Sequence, residues 1–527
     1  MAADVSYDAV VIGAGHNGLA AAIHLARHGW KVGVFEAKGE PGGAVKTREL
    51  TLPGFRHDVA AMNLSMFAGS PFLREHGAAL ARHGLAFAPA AHCFASVFPD
   101  GSWFGVSRDP DVTAARLEAM NPHDAASWRA MLARFGVDAP HIFGLLGSEM
   151  PSLAAARVIW KAWRQNGTAW TLDMLRFLAT STRVWADSHF EDARVKATLA
   201  AWGMHLDFPP DIAGGALFPY LESMANQAFG MVIGQGGADT MIRAMTGYLA
   251  ELGGEIHLNA PVEEVMQSAG SASGIRLADG RVIAARRAVI ANVTPGLLFG
   301  TLLPGGSGNK AADARLRAFR PGPGTMMLHV ALDRLPQWTA GAELAQFAYV
   351  HIAPGFGYMS RAYEETMDGL LPQAPVLVVG QPTAIDPSRA PAGKHILWVQ
   401  VRVLPKHVNG DAAGSITGKD WAAIKDAYAE RVIDLIEAHA PGIRTHVLGR
   451  AVFSPDDLEA ENACLVGGDN LSGSHQLDQN FMFRPAPGYS RYKMPLGQLY
   501  MCGAATWPGA GTGAGSGYLL GRKLAGA

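Results

Sequence analysis

The sequence predicts an α/β fold: a Rossmann-type dinucleotide-binding domain assembled from discontinuous segments, a second domain built on a mixed sheet, and a helical insert. Three observations predict it. A strand, a glycine-rich turn, a helix and a second strand follow one another over residues 8–36. Short strand patterns return at 255–290 after a long helical stretch, and a last strand at 499–502 enters a glycine-rich segment and then a helix. Alternating strand and helix patterns of this kind indicate a parallel sheet covered by helices.

Taken in order, residues 8–12 read as a short buried strand and 17–28 as a helix with Leu19, Ala22, Ile23 and Ala26 on one face. Residues 31–36 form the second strand, and Gly29 stands where the helix end needs a positive φ. From about 110 to 207 the pattern is mostly helical, with starts such as Asn121-Pro122-His123-Asp124. An amphipathic helix at 241–252 leads to strands at 255–258, 262–267, 274–277 and 288–290, with Asp279-Gly280 closing a hairpin. Strands at 325–332, 347–352, 375–379 and 395–403, separated by Pro/Gly loops, suggest a second sheet against which substrate lies. The expected domains are therefore a dinucleotide domain at 1–100, 225–304 and 466–527, a substrate-domain sheet at 305–465, and a helical insert at 101–224.

Composition narrows the function. A chain of 527 residues, 49% hydrophobic, can enclose a large cofactor between domains. A net charge of -2 provides no field to attract phosphate backbones, so nucleic acid is not an expected partner. Cys93, Cys464 and Cys502 are too far apart in sequence for a CxxC pair or a zinc knuckle, so no metal is expected, and the compartment reads as reducing. Met1–Tyr7 lacks a basic segment followed by an apolar one, and no uncharged apolar run reaches about 18 residues; a cytoplasmic location is expected. Mean hydropathy is nevertheless +0.09. Trp160, Trp163, Trp170, Leu175, Phe177, Leu178 and Trp185 are interleaved with Arg164, Arg176 and Arg183. That stripe reads either as a surface for peripheral membrane contact or, the commoner fate of such stripes, as helix faces packed into a core.

Gly13, Gly15 and Gly18 spell GxGxxG. With 62 glycines in the chain, roughly one such triplet arises by chance, and its context gives it meaning: a strand before it, a helix after it, and Glu36 at the end of the next strand. Gly13 makes the tight turn, Gly15 admits backbone to a pyrophosphate, and Gly18 lets helix and strand pack closely. Glu36 is placed to accept from a ribose diol, and its charge disfavours a 2′-phosphate. The βαβ unit alone does not separate NAD from FAD. The discriminator is Gly42-Gly43, followed by Lys46 and Thr47.

With that doublet the sequence resembles the phytoene desaturase and flavin amine oxidase superfamily, whose N-terminal pattern ends in a GG pair and a hydroxyl residue. The resemblance implies the GR2-like form of the Rossmann domain and FAD as cofactor, contacted by Gly13, Gly15, Asn17, Gly18, Glu36, Gly42, Gly43, Lys46 and Thr47. The segment Gly236-Gly237-Ala238-Asp239 through Gly253-Gly254-Glu255-Ile256 resembles the family's middle region and implies that backbone at Val262 holds the adenine. Residues 500–514 resemble its flavin-binding tail and add Gly503, Ala504, Gly511, Thr512, Gly513 and Ala514. His16-Asn17, the stretch 477–489 and the Pro-Gly tail are similar to the branch holding the carotenoid ketolases of the desaturase type and pyridine nucleotide-disulphide oxidoreductase domain protein 2. One departure stands out: Trp507 occupies the place where many relatives have histidine.

Flavin accepts hydride itself, so the protein need supply only orientation, an apolar enclosure and at most one base. Candidates near such a site are His57 and Asp58, His329 and His351 on the second sheet, and Tyr489 with Arg491 and Tyr492. The activity these features imply is two-electron dehydrogenation of a largely apolar, isoprenoid or polyene substrate, with oxygen or a quinone as acceptor. The alternatives are a carotenoid-ketolase-like oxygenation, an amine oxidase, a flavin-dependent isomerase and a non-catalytic flavoprotein scaffold.

Overall fold

The computed structural model describes residues 5–526; the reading of the first four residues as part of a leaderless start lies outside them. Two seven-stranded sheets organise the chain. In the first, Val5–Ile12 runs parallel to Val282–Ala291 on one side and to Val32–Phe35 on the other, and Glu255–His257 extends it beyond Val32–Phe35. Leu499–Met501 also runs parallel to Val282–Ala291, which begins the antiparallel meander with Ser271–Leu277 and Val262–Ser268. All four residues of Val32–Phe35 are buried, as expected of a parallel strand covered on both faces. Helices His16–Arg27, Thr240–Glu251 and Gly515–Ala525 cover one face with a core of small residues, Ala20, Ala21, Ala22 and Ala244 among them.

The second sheet has the order Val447–Phe453, Gly324–Leu332, His395–Leu404, Val376–Gly380, Phe347–Ile352, His92–Val97 and Trp103–Ser107. It is antiparallel except where His92–Val97 meets Phe347–Ile352. One face packs on the helix Trp421–His439 through Leu328, Val330, Leu397 and Val399. The other lies beneath the helices of the insert.

This topology corrects the expected boundary at 100/101, which falls inside the hairpin joining His92–Val97 to Trp103–Ser107. Both strands belong to the second sheet, where Phe94 and Phe104 share an apolar core with the helices of the insert and not with the dinucleotide sheet. The insert proper is helical, and its starts are capped: Asn121 accepts from the backbone N–H groups of His123 and Asp124, and Ser152 from that of Ala155. The Trp stripe divides. Trp185 is buried, whereas Trp160, Trp163 and Leu175 are 59%, 44% and 59% exposed, so core packing accounts for only part of it. No helix among the described residues is long and apolar enough to cross a membrane.

Candidate cofactor and substrate site

The glycine turn is built for a close approach. Gly13 has φ +90, and a β-carbon there would come 3.2 Å from the Asn292 carbonyl. One on Gly15 would lie 2.9 Å from Asn292 Nδ2, and one on Gly18 would meet the Gly13 carbonyl at 2.5 Å. Gly42 and Gly43 have φ of +129 and +62. A β-carbon on Gly43 would come 3.3 Å from Gly15 Cα, and Gly42 donates its N–H to the Ala14 carbonyl at 3.0 Å. The two glycine motifs are therefore pressed against one another, as a cradle for a pyrophosphate requires. Asn292, which the motif reading missed, braces the turn: its Nδ2 reaches the Gly13 and Gly15 carbonyls at 3.4 and 3.5 Å. Its only sequence signal is its position directly after a parallel strand, on the same edge as the glycines.

Both helix N-termini in this region lack a side-chain cap and an acidic residue in the first turn: Gly15 precedes His16–Arg27, and Ala514 in αL geometry precedes Gly515–Ala525. Elsewhere Ser70, Asp420 and Ser454 cap their helices. Two uncapped N-termini next to glycine cradles leave free N–H donors for an anionic ligand. The helices are locked together at Gly517, which sits on the Asn17 backbone and donates its N–H to Asn17 Oδ1 at 3.2 Å. His16 Nε2 lies 3.1 Å from the Gly511 carbonyl, and burial pulls the ring down to about 4, so it is neutral.

Glu36 accepts from the Ala14 and Lys38 backbone N–H groups at 2.8 and 3.0 Å, which fixes its carboxylate at the strand end. Ala260 donates to the Glu36 carbonyl, bringing the half-buried Val262 segment alongside. Lys46 and Thr47 hold the doublet from behind: Lys46 Nζ is 2.7 Å from Glu461, and Thr47 donates to Asp58 at 2.6 Å. In the tail, Gly503 has φ +121 and donates its N–H to the Ser516 hydroxyl at 3.0 Å. Thr512 donates to the Asn63 carbonyl at 3.2 Å, and Gly511 and Gly513 lie against Met66. The fully buried Arg484 donates to the carbonyls of Ala504, Ser474 and Ser472, fastening 472–484 to the tail; burial lowers it to about 9. His475, also absent from the sequence-based set, accepts from the Ala510 N–H at 2.9 Å. Trp507 donates its indole N–H to the Ser148 carbonyl at 2.8 Å and is buried.

On the insert-facing side of the second sheet, the pairing sets Ala451, His329, Trp398, Gly380, Tyr349 and Phe94 in one row. Directly opposed residues share a face, so the row is aromatic and carries no carboxylate or ammonium. Trp398 and Tyr349 have ring centroids 5.8 Å apart, and the indole nitrogens of Trp398 and Trp202 have no hydrogen-bond partner among the described residues. A β-carbon on Gly380 would meet Trp398 at 3.0 Å and Met62 at 3.2 Å. The segment from Met62 to Met66 thus connects this face to the glycine tail. At the margin, burial raises the Glu222 carboxyl to about 7, with Asn226 opposing. Burial also raises the Tyr349 phenol, reinforced by Asp58 and Glu222, and keeps it protonated.

The catalytic candidates fare differently. His57 Nε2 lies 2.8 Å from the Thr51 hydroxyl, with its ring edge-on to His329 at 5.4 Å; burial, then Arg389, lowers it to about 3. Asp58 is bound to Arg389 at 2.6 Å. His351 packs on Trp202 and His205. His329 and His351 share a face but stand on strands separated by two others. Tyr489 packs on the core containing Phe35 and Val289, on the dinucleotide sheet, and Arg491 pairs with Glu149. Tyr489 and the buried Tyr492 thus pack on the dinucleotide domain, while Arg491 reaches across to Glu149 of the insert.

The profile of the flavin containing amine oxidoreductases matches residues 18–431. Pyridine nucleotide-disulfide oxidoreductase domain-containing protein 2 of Rattus norvegicus is 29% identical over 96% of this chain and 91% of its own length. The neurosporene-forming phytoene desaturase of Cereibacter sphaeroides is 26% identical over 95% and 91%. Among solved structures, an oxidoreductase from Methanosarcina mazei superposes with TM-score 0.61 at 18% identity, covering 97% of this chain and 98% of that one. A putrescine oxidase variant does so with TM-score 0.61 at 15% identity, covering 99% and 98%. The glycine cradles, the free helix ends and the fixed Glu36 fit an FAD dinucleotide, and the chain belongs to the flavin containing amine oxidoreductase family as an FAD-dependent oxidoreductase.

Proposed function

We propose that this oxidoreductase removes two electrons from a largely apolar substrate of the isoprenoid or polyene class. The carrying observation is the uncharged aromatic row His329, Trp398, Gly380, Tyr349, Phe94, joined to the glycine tail through Met62–Met66. Relatives named as phytoene desaturases, and a limonene dehydrogenase chain of Castellaniella defragrans at 25% identity over 98% of this chain, support the same substrate class. Bound flavin supplies the hydride acceptor. The chain's part is to hold the hydrocarbon by burial, at roughly 0.8 kcal/mol per CH₂, and to exclude water with Trp398, Trp202 and Met62. Tyr349 offers one neutral hydrogen-bond donor. Neither His57 nor His351, both buried, is charged at neutral pH, so neither repels the cationic character that develops on a carbon losing hydride.

The exposed Leu153, Trp160, Trp163, Leu172 and Leu175, with Arg157, Lys161 and Arg164 between them and Arg176 directly after, support delivery of such a substrate from a lipid surface. Glu222 favours a second reading, amine oxidation, because a carboxyl close enough to act on Tyr349 of the aromatic row could pair with an ammonium. Oxidised enzyme mixed anaerobically with a panel of polyenes and of amines separates the two. Flavin bleaching by polyenes is expected; bleaching by amines alone overturns the proposal. The electron acceptor follows from whether oxygen or a quinone restores the flavin spectrum.

A further inference from the structure

The helices His16–Arg27 and Pro71–Arg82 meet the helix Gly515–Ala525 at a group of side chains that the flavin site does not use. His24, Glu75 and His76 each offer one ligand atom, and the three atoms lie within 4.8 Å of one another. His24 Nδ1 and His76 Nε2 stand 3.8 and 3.7 Å from the same oxygen, Glu75 Oε1. Both imidazoles are 1% exposed. Neither ring nitrogen of His24 has a hydrogen-bond partner among the described residues, nor has His76 Nε2. Buried polar atoms are ordinarily satisfied, so three unpartnered nitrogens in one cluster call for a ligand.

We propose that His24, Glu75 and His76 form a binding site for a divalent cation of the zinc class, separate from the flavin site. Two neutral imidazoles and one carboxylate are a donor set that zinc takes in tetrahedral geometry with a fourth position for water. Bonds of about 2.0–2.1 Å place tetrahedral ligand atoms roughly 3.3 Å apart, a few tenths of an ångström closer than His24 and His76 now stand to Glu75 Oε1. Tyr518 donates to the other Glu75 oxygen at 2.5 Å and orients the carboxylate.

Other charged and titratable groups face the cluster. Arg27 Nη1 lies 3.1 Å from Glu75 Oε1 and 3.4 Å from His76 Nδ1; Arg522 acts on His24 through space; and the His28 ring lies 4.5 Å from that of His24. Arg27 is 44% exposed and occupies the solvent side, so it is the group that a cation displaces into water. Bound metal would tie the helix that follows the glycine turn to the one carrying Glu75, and through Tyr518 to the helix after the flavin tail.

The test uses the FAD-loaded full chain, stripped with chelator and titrated with Zn²⁺, with bound metal counted by mass spectrometry and affinity measured by calorimetry. One equivalent is expected. His24→Gln and His76→Gln should each weaken that equivalent at least ten-fold without loss of flavin absorbance, and Arg27→Gln should tighten it. Should a histidine variant fail to fold, Glu75→Gln, at a side chain only partly buried, is expected to show the same loss. Absence of a stoichiometric equivalent in the wild-type protein, undiminished zinc binding in these variants, or failure of Arg27→Gln to tighten it overturns the site.

Discussion

Removing the carboxylate of Asp58 should destabilise the whole molecule. Asp58 and Arg389 are 1% and 0% exposed at the side chain and 2.6 Å apart. One Asp58 oxygen accepts from the Thr47 hydroxyl and the Ala238 N–H at 2.6 and 2.8 Å; the other accepts from Arg389, whose second terminal nitrogen donates to the Gly234 carbonyl. This pair pins the doublet segment of the dinucleotide domain to the loop at 382–389 of the second. Asp58→Ala leaves a buried guanidinium with only Asp386 nearby, at 3.4 Å, a loss of about 3–5 kcal/mol. With an unfolding entropy of about 2.1 cal/mol/K per residue over 527 residues, that lowers Tm by ~3–5 °C if the chain unfolds as one unit. Replacing both partners, Asp58→Ala with Arg389→Met, removes the stranded charge and should recover about 2 kcal/mol. Thermal unfolding followed by flavin fluorescence reads both. A single variant within 1 °C of wild type, or a double variant no better than the single, refutes the reasoning.

Acid precipitation should release FAD from the protein, since no cysteine or histidine stands in a flavin-linking motif; colour that stays with the pellet contradicts this. Gly15→Val should abolish flavin retention, because a β-carbon there already comes within 2.9 Å of Asn292, whereas the buried, unpaired Cys502 tolerates alanine with FAD loading nearly intact. Stability should fall on acidification: burial holds His351 down to about 3 in the fold, so between pH 6.5 and 3 only the unfolded chain takes up the proton. The loss is about 1.4 kcal/mol per pH unit for that group, and in urea titrations His351→Phe should show a shallower slope between pH 6 and 4. Trp160→Ala with Trp163→Ala should reduce sedimentation with anionic phospholipid vesicles while leaving flavin content unchanged; equal sedimentation would remove the lipid-surface proposal.

The dinucleotide domain was legible because its constraints are local. Gly13, Gly15 and Gly18 follow a strand directly, and positive φ at Gly29, Gly42 and Gly43 leaves few other residues usable. Asn292 and His475 escaped because they act on partners well removed in sequence and nothing in their neighbours announces it, whereas Arg484 stood in the stretch 477–489 that carried the resemblance but with no role attached to it. The strand Val447–Phe453 was missed for another reason: as an edge strand it is half-exposed and alternates only weakly. His57 and Asp58 do lie near the doublet, but their partners, Thr51, His329 and Arg389, show that they brace the scaffold. The mixed fate of the Trp stripe was beyond periodicity altogether, since an exposed and a buried amphipathic face share one pattern.

The interlock of Gly517 on Asn17 bears on biosynthesis. The nucleotide-binding half is begun at Val5–Ile12 and closed only by Leu499–Met501 and the helix at Gly515–Ala525, nearly 500 residues later. At about 5–20 residues/s on the ribosome, the first glycine turn waits ~25–100 s before its partner helix emerges. During that interval the nascent chain exposes an unfinished parallel sheet whose Val282–Ala291 edge lacks Leu499–Met501. The first glycine turn and the tail cradle can therefore face one ligand together only after the helix Gly515–Ala525 has been made, so the complete dinucleotide site forms late and not on the N-terminal segment alone.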